Sequence, residues 1–154
     1  MAQSRKAPTT TWQRLAQPSD RLLSQWRHRP ELTYWEACGR RWDAVAITPI
    51  SLGLAALSAL RISPRRGYPV LADHLRGCLY VLVPPGTGIT AAGLPGVRVL
   101  GTGHQLLVPA PGAGSPAAHW ISAPGDGALL VRPDRLTHHL RALLSAGQPK
   151  AASS

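Results

Sequence analysis

The sequence contains no phenylalanine, and only two of its 154 residues are cysteine, two are lysine and seven are acidic. Without phenylalanine, the hydrophobic core has to be built from leucine, valine, alanine and tryptophan. The two cysteines, Cys38 and Cys78, lack the paired spacing of a zinc ribbon and are too few for a disulfide framework. Reduced thiols of this kind are typical of cytoplasmic proteins, so we expect that location.

Long apolar runs are also missing. The most apolar stretch, residues 44–60, is interrupted by Pro49 and Gly53, and no window approaches the roughly 18 apolar residues of a membrane span. Residues 1–11 carry two positive charges but no apolar run follows them, which is not the pattern of a signal peptide. We therefore expect no membrane partner.

The sequence offers no standard set of catalytic or cofactor-binding residues. No two carboxylates are closer than five positions, whereas catalysis by two metal ions needs them clustered. No GxSxG motif marks a nucleophilic serine. Residues 84–88 (PPGTG) lack the lysine of a P-loop, and the following residues lack the third glycine of a dinucleotide loop, so a plain turn is predicted. The six histidines show no metal-binding spacing, and we expect no bound metal or cofactor.

The sequence is rich in positive charge. The formal net charge is +10, and 15 of the 17 basic residues are arginine. Such a balance favours polyanionic partners, nucleic acid before anionic membrane. A GC-rich genome is the alternative explanation for an arginine-rich and lysine-poor composition. Nucleic acid is accordingly the expected partner.

The chain length predicts one domain at residues 12–146, between disordered tails at 1–11 and 147–154. Within it, helical periodicity appears in two pieces on either side of Pro18, the second capped by Ser19 or Asp20. A short helix is predicted for residues 31–38, ending at Gly39. A buried strand follows from Trp42, then a helix from Pro49 to Leu60. The clearest helical pattern runs from Arg132 to Gly147.

Residues 77–120 contain short apolar runs of strand length separated by glycine and proline. The runs at 78–83, 97–100 and 104–108 predict a small sheet, and a last strand is predicted at 119–122. The segment Gly101-Thr102-Gly103 is short enough for a hairpin connection between the second and third runs. The pattern predicts an α/β protein of the α+β type, with a small, mainly antiparallel sheet flanked by helices.

The same stretch resembles a known family. Residues 77–84 (GCLYVLVP), 94–103 (LPGVRVLGTG), 105–111 (QLLVPAP) and His119-Trp120 follow the order and spacing of the second half of the bifunctional DNA primase/polymerase N-terminal domain. That family has a strand like GLHLYF, a segment like LPGVDVRGDGG, a strand ending VVAPPS and a closing Tyr-x-Trp. Residues 42–60 with their following basic loop look similar to short actinobacterial relatives of the family.

The resemblance implies a primase/polymerase-like domain that acts on nucleic acid and nucleotides, with Mg²⁺ or Mn²⁺ where it is catalytically active. It also implies a degenerate active site, because Tyr80 falls at the position of the catalytic histidine. Leu100 and Thr102 replace the family's arginine and aspartate. Of the paired acids on the early strand only Asp43 is present, and one carboxylate does not hold two metal ions.

Three functions remain open at this point. The first is a non-catalytic domain that binds nucleic acid through an arginine-rich surface made of Arg40, Arg41, Arg61, Arg65, Arg66 and Arg98. The second is an active nucleotidyltransferase with a metal site rearranged around Asp43, which would need Asp73 and Asp126 as well. The third is a regulatory module that docks on a protein partner through the sheet or through the leucine-rich face of the last helix.

Overall fold

The computed structural model describes residues 20–29, 33–62, 68–109, 114–122 and 130–147. Three α-helices lie in these ranges: α1 (Asp20–His28), α2 (Ile50–Ala59) and α3 (Pro133–Gly147). A short 3-10 helix spans Gly88–Ala91. The eight strands are β1 (Thr33–Ala37), β2 (Asp43–Ile47), β3 (Val70–Asp73), β4 (Cys78–Val83), β5 (Val97–Leu100), β6 (Gln105–Pro109), β7 (Gly114–Ser115) and β8 (Ala118–Ser122).

Six strands form the main sheet in the order β5-β2-β4-β3-β8-β7, and every neighbouring pair is antiparallel. The remaining strands, β1 and β6, form a separate antiparallel pair. β2 and β4 are buried along their whole length. Their nearly continuous apolar sequences, interrupted at Asp43, fit this place because both faces of the sheet are covered.

The two faces of the main sheet carry different layers. On one face, α2 and α3 pack against the alternate residues Val45, Ile47, Leu79 and Val81. On the other face, the β1–β6 pair packs against Ala46, Tyr80 and Leu82. We call these the helix face and the cleft face. Because side chains alternate along a strand, a residue's position in its strand decides which layer it meets.

The predicted fold class is confirmed, since the described residues form a small α+β structure with antiparallel sheets. The strands expected near residues 42–47, 78–83, 97–100, 104–108 and 119–122 all form. The predicted helices after Ser19, after Pro49 and after Arg132 are also present. Among the described residues, no helix is both long enough and apolar enough to cross a bilayer.

Two local predictions were wrong. Residues 31–38 were expected to be helical, but Thr33–Ala37 is strand β1, paired with β6. The β-branched and aromatic residues at positions 33–35 suit a strand, and pairing with a distant partner overrides the local pattern. Residues 101–103 do not connect a hairpin either. β5 pairs with β2 in the main sheet, whereas β6 crosses to pair with β1.

Several predictions lie outside the described residues. They are the helical piece before Pro18, the tail at 1–11 and residues 148–154 of the C-terminal tail. The candidate residues Arg65, Arg66 and Asp126 also lie outside.

Gly53 marks the closest approach of α2 to the sheet. An ideal Cβ on Gly53 would lie 3.1 Å from Leu79 Cβ and would overlap Leu79 Cδ2. Leu79 is fully buried in the central strand β4 and has little room to move. We expect Gly53→Ala to lower the free energy of unfolding by about 1–2 kcal/mol in urea titrations, because overpacking outweighs the gain in helix propensity. Ser51→Ala, at an exposed position of the same helix, should change it by less than about 0.5 kcal/mol.

Candidate functional site

A cleft of about 350 Å³ opens between the cleft face of the main sheet and the β1–β6 pair. Tyr80 of β4 and Leu100 of β5 line it from the sheet, and β6 contributes residues 105–107 from the other side. The turn between β3 and β4 closes one end with Leu75 and Arg76. A volume of this size accommodates one small-molecule-sized group, such as a nucleobase with its sugar.

Two large apolar side chains of the cleft are exposed to solvent. Trp35 of β1 is 60% exposed and Leu75 is 75% exposed. Trp35 lies opposite Leu107 in the β1–β6 ladder, and both residues line the cleft. An indole ring that the fold leaves open beside a cavity offers a flat surface for stacking. The cleft therefore has a largely exposed tryptophan among its lining residues.

The cleft also carries positive charge. Arg76 and Arg98 line it together with His104, and Asp73 supplies the one carboxylate that the described residues place there. Arg98 projects from β5 and is exposed. Arg76 Nε lies 3.8 Å from Asp73 Oδ2, and the arginine side chain is 77% exposed. An exposed guanidinium at that distance from a carboxylate is weakly held and remains available to an anionic ligand.

Asp73 shapes the turn that positions Arg76. Its Oδ1 accepts hydrogen bonds from the backbone N–H groups of Leu75 and Arg76, each at 3.0 Å. This is the Asx-type turn that a short carboxylate favours at the end of a strand. The carboxylate is therefore engaged in folding the β3–β4 turn and in orienting two cleft residues.

Tyr80 lies at the base of the cleft and is nearly buried. Burial first, and then the neighbouring Cys78 and Asp73, raise the pKa of Tyr80 to about 12. Its hydroxyl thus stays protonated at neutral pH and offers a hydrogen-bond donor rather than a base. Tyr80 and Leu100 both line this cleft.

Asp43 lies on the other face of the sheet. It is 4% exposed, and its register partner Val83 belongs to the helix-face core. Its Oδ2 accepts hydrogen bonds from the backbone N–H groups of Gly86 at 2.9 Å and Gly88 at 3.3 Å. The carboxylate thus ties the loop after β4 to β2.

Asp43 and Asp73 do not converge. Asp43 pairs with Val83 and Asp73 with Cys78, so they lie at opposite ends of β4, about 16 Å apart along the strand. They also face opposite sides of the sheet, because Cys78 belongs to the cleft-face core. The described residues contain no group of three or more histidine, cysteine or acidic side chains arranged to hold a metal.

The four predicted arginines that the structure describes lie in three different parts of the fold. Arg98 lines the cleft. Arg40 and Arg41 lie in the turn between β1 and β2, and Arg61 follows the end of α2 in the helix layer. Burial raises the pKa of Glu36, and a hydrogen bond from Tyr34 and the positive charge of Arg40 oppose that rise. Arg40 is thus close to an acidic neighbour of its own.

Sequence reasoning missed Trp35, Arg76 and His104 as cleft residues. They belong to β1, the β3–β4 turn and the residue before β6, and only the tertiary pairing places them together. Position 102, where the family has an aspartate, lies in an exposed turn. An ideal Cβ at Gly39 would meet the Thr102 backbone, so this turn packs closely on the β1–β2 turn.

The two cysteines offer no nucleophile. Both are free and buried. Burial, followed by the charges of Asp43 and Glu36, raises the pKa of Cys38 to about 12, so this thiol is protonated at neutral pH.

No protein-family model matches the chain, and no curated protein or solved structure matches it significantly.

Proposed function

We propose that this protein is a non-catalytic, primase/polymerase-like domain that binds single-stranded nucleic acid in the cleft between its two sheets. The observation that carries the proposal is the combination in one cleft of exposed Trp35 with the exposed guanidinium groups of Arg76 and Arg98. An aromatic ring stacks a base, and arginines contact the phosphates that flank it. The resemblance of residues 77–120 to the primase/polymerase family supports a nucleic-acid ligand.

The single strand is favoured over the duplex because a base has to be unpaired to reach Trp35. A stacked duplex keeps its bases inside, and the cleft volume of about 350 Å³ suits one nucleotide unit rather than a helix. The net charge of +10 adds a long-range attraction to any polyanion. Arg76 and Arg98 then determine where on the protein the strand is held.

The positions of the carboxylates support a binding role without chemistry. Asp43 is engaged with two backbone donors on the helix face, and Asp73 holds the β3–β4 turn on the cleft face. Bringing both to one pair of metal ions would require the sheet to be rebuilt. The leucine face of α3 is also engaged, since Leu136 and Leu140 are fully buried in the core, and this observation does not favour docking through that face.

The test is a titration of a labelled single-stranded DNA oligonucleotide, followed by fluorescence anisotropy at about 50 and 200 mM salt. The double variant Arg76→Gln/Arg98→Gln should bind more weakly. The slope of log affinity against log salt should fall by about 1.4, or 0.7 for each lost phosphate contact on a single strand.

The matched control is Arg132→Gln/Arg135→Gln, which removes the same charge. These arginines line a small pocket with Leu60 and Ile62 on the helix side of the sheet. The control should keep the salt slope of the unmodified protein within about 0.3. An equal loss of affinity in both double variants would show that binding depends on overall charge and not on the cleft. The absence of binding at 50 mM salt would refute the proposal.

A further inference from the structure

The side chains of His74 and His119 form a pair that takes no part in the proposed binding by the cleft. His74 Nε2 lies 3.1 Å from His119 Nδ1, and the two rings are tilted by 37° with their centroids 5.3 Å apart. Both side chains are exposed. They come from positions 45 residues apart, so their contact is a product of the fold and not of local sequence.

The backbone holds the two residues in place. His119 lies opposite Ala72 in the antiparallel β3–β8 ladder, and His74 follows directly after β3. The His74 N–H also donates a hydrogen bond of 2.7 Å to the carbonyl of Pro116, in the turn between β7 and β8. The Cα atoms of the pair are therefore fixed by two strands and a turn, while the rings themselves are free to rotate at the surface.

The distance between His74 Nε2 and His119 Nδ1 is close to that between two nitrogens bound to one metal ion. Two nitrogens bound to a tetrahedral ion at about 2.0–2.1 Å are about 3.3–3.4 Å apart, a few tenths of an ångström more than the 3.1 Å observed. Two metal bonds replace the nitrogen-to-nitrogen hydrogen bond when both exposed rings turn so that their lone pairs converge, and when the shared proton moves to the other nitrogen of the ring that carried it. Imidazole pairs suit the borderline divalent ions Zn²⁺, Ni²⁺ and Cu²⁺.

We infer that His74 and His119 form a two-histidine site for a borderline divalent transition-metal ion, with water completing the coordination. No third histidine, cysteine or carboxylate joins the pair among the residues that the structure describes. The site is thus open to solvent, and its exposed face leaves room for water ligands or for a ligand from a partner molecule. It does not depend on the proposed nucleic-acid function.

The test uses Zn²⁺ alone with the full chain, by isothermal titration calorimetry in a non-chelating buffer. One ion per chain is expected, and His74→Gln and His119→Gln should each lower the affinity at least tenfold, since loss of a direct ligand costs no less than loss of its supporting partner. His138→Gln is the matched control and should bind like the unmodified chain. His138 and its neighbour His139 meet edge to face at 79° on α3.

A second readout separates binding from folding. Zn²⁺ that binds only the folded chain should raise the urea midpoint of the unmodified protein. That rise should vanish in His74→Gln and persist in His138→Gln. Because His74 and His119 are both exposed, their glutamine variants should keep the circular dichroism spectrum of the unmodified protein. Absence of a Zn²⁺-dependent rise, or equal affinity in all variants, would overturn the inference.

Discussion

Replacing Asp43 with alanine should lower the free energy of unfolding by about 2–4 kcal/mol. The substitution removes the acceptor of the hydrogen bonds from Gly86 and Gly88 N–H and leaves these donors without their partner. Hydrogen bonds to a charged group contribute about 1.5–3 kcal/mol each, and the longer bond to Gly88 lies at the weak end. Urea unfolding followed by circular dichroism measures the loss.

Asp134→Ala is the control for removing a carboxylate, because Asp134 is exposed at the start of α3. It should cost less than about 1 kcal/mol, the scale of a helix-dipole interaction at the surface. Asp43→Asn keeps an oxygen acceptor and should fall between the two. A loss below 1 kcal/mol in Asp43→Ala would contradict the assignment of Asp43 to the loop after β4.

Asp43→Asn also tests the alternative function, that of an active nucleotidyltransferase. In a primer-extension assay with Mg²⁺ or Mn²⁺, we expect no incorporation by either the unmodified protein or the folded Asp43→Asn protein. Incorporation that depends on Asp43 would contradict the non-catalytic proposal. It would leave nucleic-acid binding by the cleft as a separate question, answered by the anisotropy titration.

Replacing Trp35 with alanine should weaken binding of single-stranded DNA roughly five- to 140-fold. This range corresponds to the 1–3 kcal/mol that stacking of a base on an aromatic side chain contributes. Trp35 is 60% exposed, so its truncation removes part of the buried surface of a large residue and should lower the free energy of unfolding by about 1–2 kcal/mol, which leaves the variant folded for the binding assay. Binding is measured by the same anisotropy titration at low salt.

Two further variants separate stacking from general apolar contact. Trp35→Tyr keeps an aromatic face and should retain most of the affinity. Leu75→Ala removes an exposed apolar side chain from the same cleft without removing a ring, and its effect should be smaller than that of Trp35→Ala. Equal affinities for Trp35→Ala and the unmodified protein would place the strand elsewhere on the surface.

Sequence reasoning found the strands of the main sheet because β4 and the residues of β2 after Asp43 are almost continuously apolar, which is the pattern of a strand covered on both faces. It failed for β1, where Trp35 and the residues around it also fit a short helix. Only β6, about seventy positions away, selects the strand. Predictions from local pattern lose to long-range pairing at places of this kind.

The candidate site was harder to predict than the fold. Arg98 was identified from its charge, but Trp35 and Arg76 enter the cleft only through two separate strand pairings, β1 with β6 and β3 with β4. The partners of Asp43 were also beyond sequence reasoning. Backbone N–H groups, such as those of Gly86 and Gly88, cannot be recognised as hydrogen-bond partners from composition or charge.

Arg98 has a second effect, which concerns the solubility of the sheet. β5 is an edge strand, and no described strand pairs with its outer side. An open row of backbone donors and acceptors invites another chain to extend the sheet, and a charged side chain in the middle of the edge opposes that association. The arginine that holds a phosphate in our proposal also protects the free protein from edge-to-edge aggregation, so selection for solubility would preserve this charge even in the absence of a ligand.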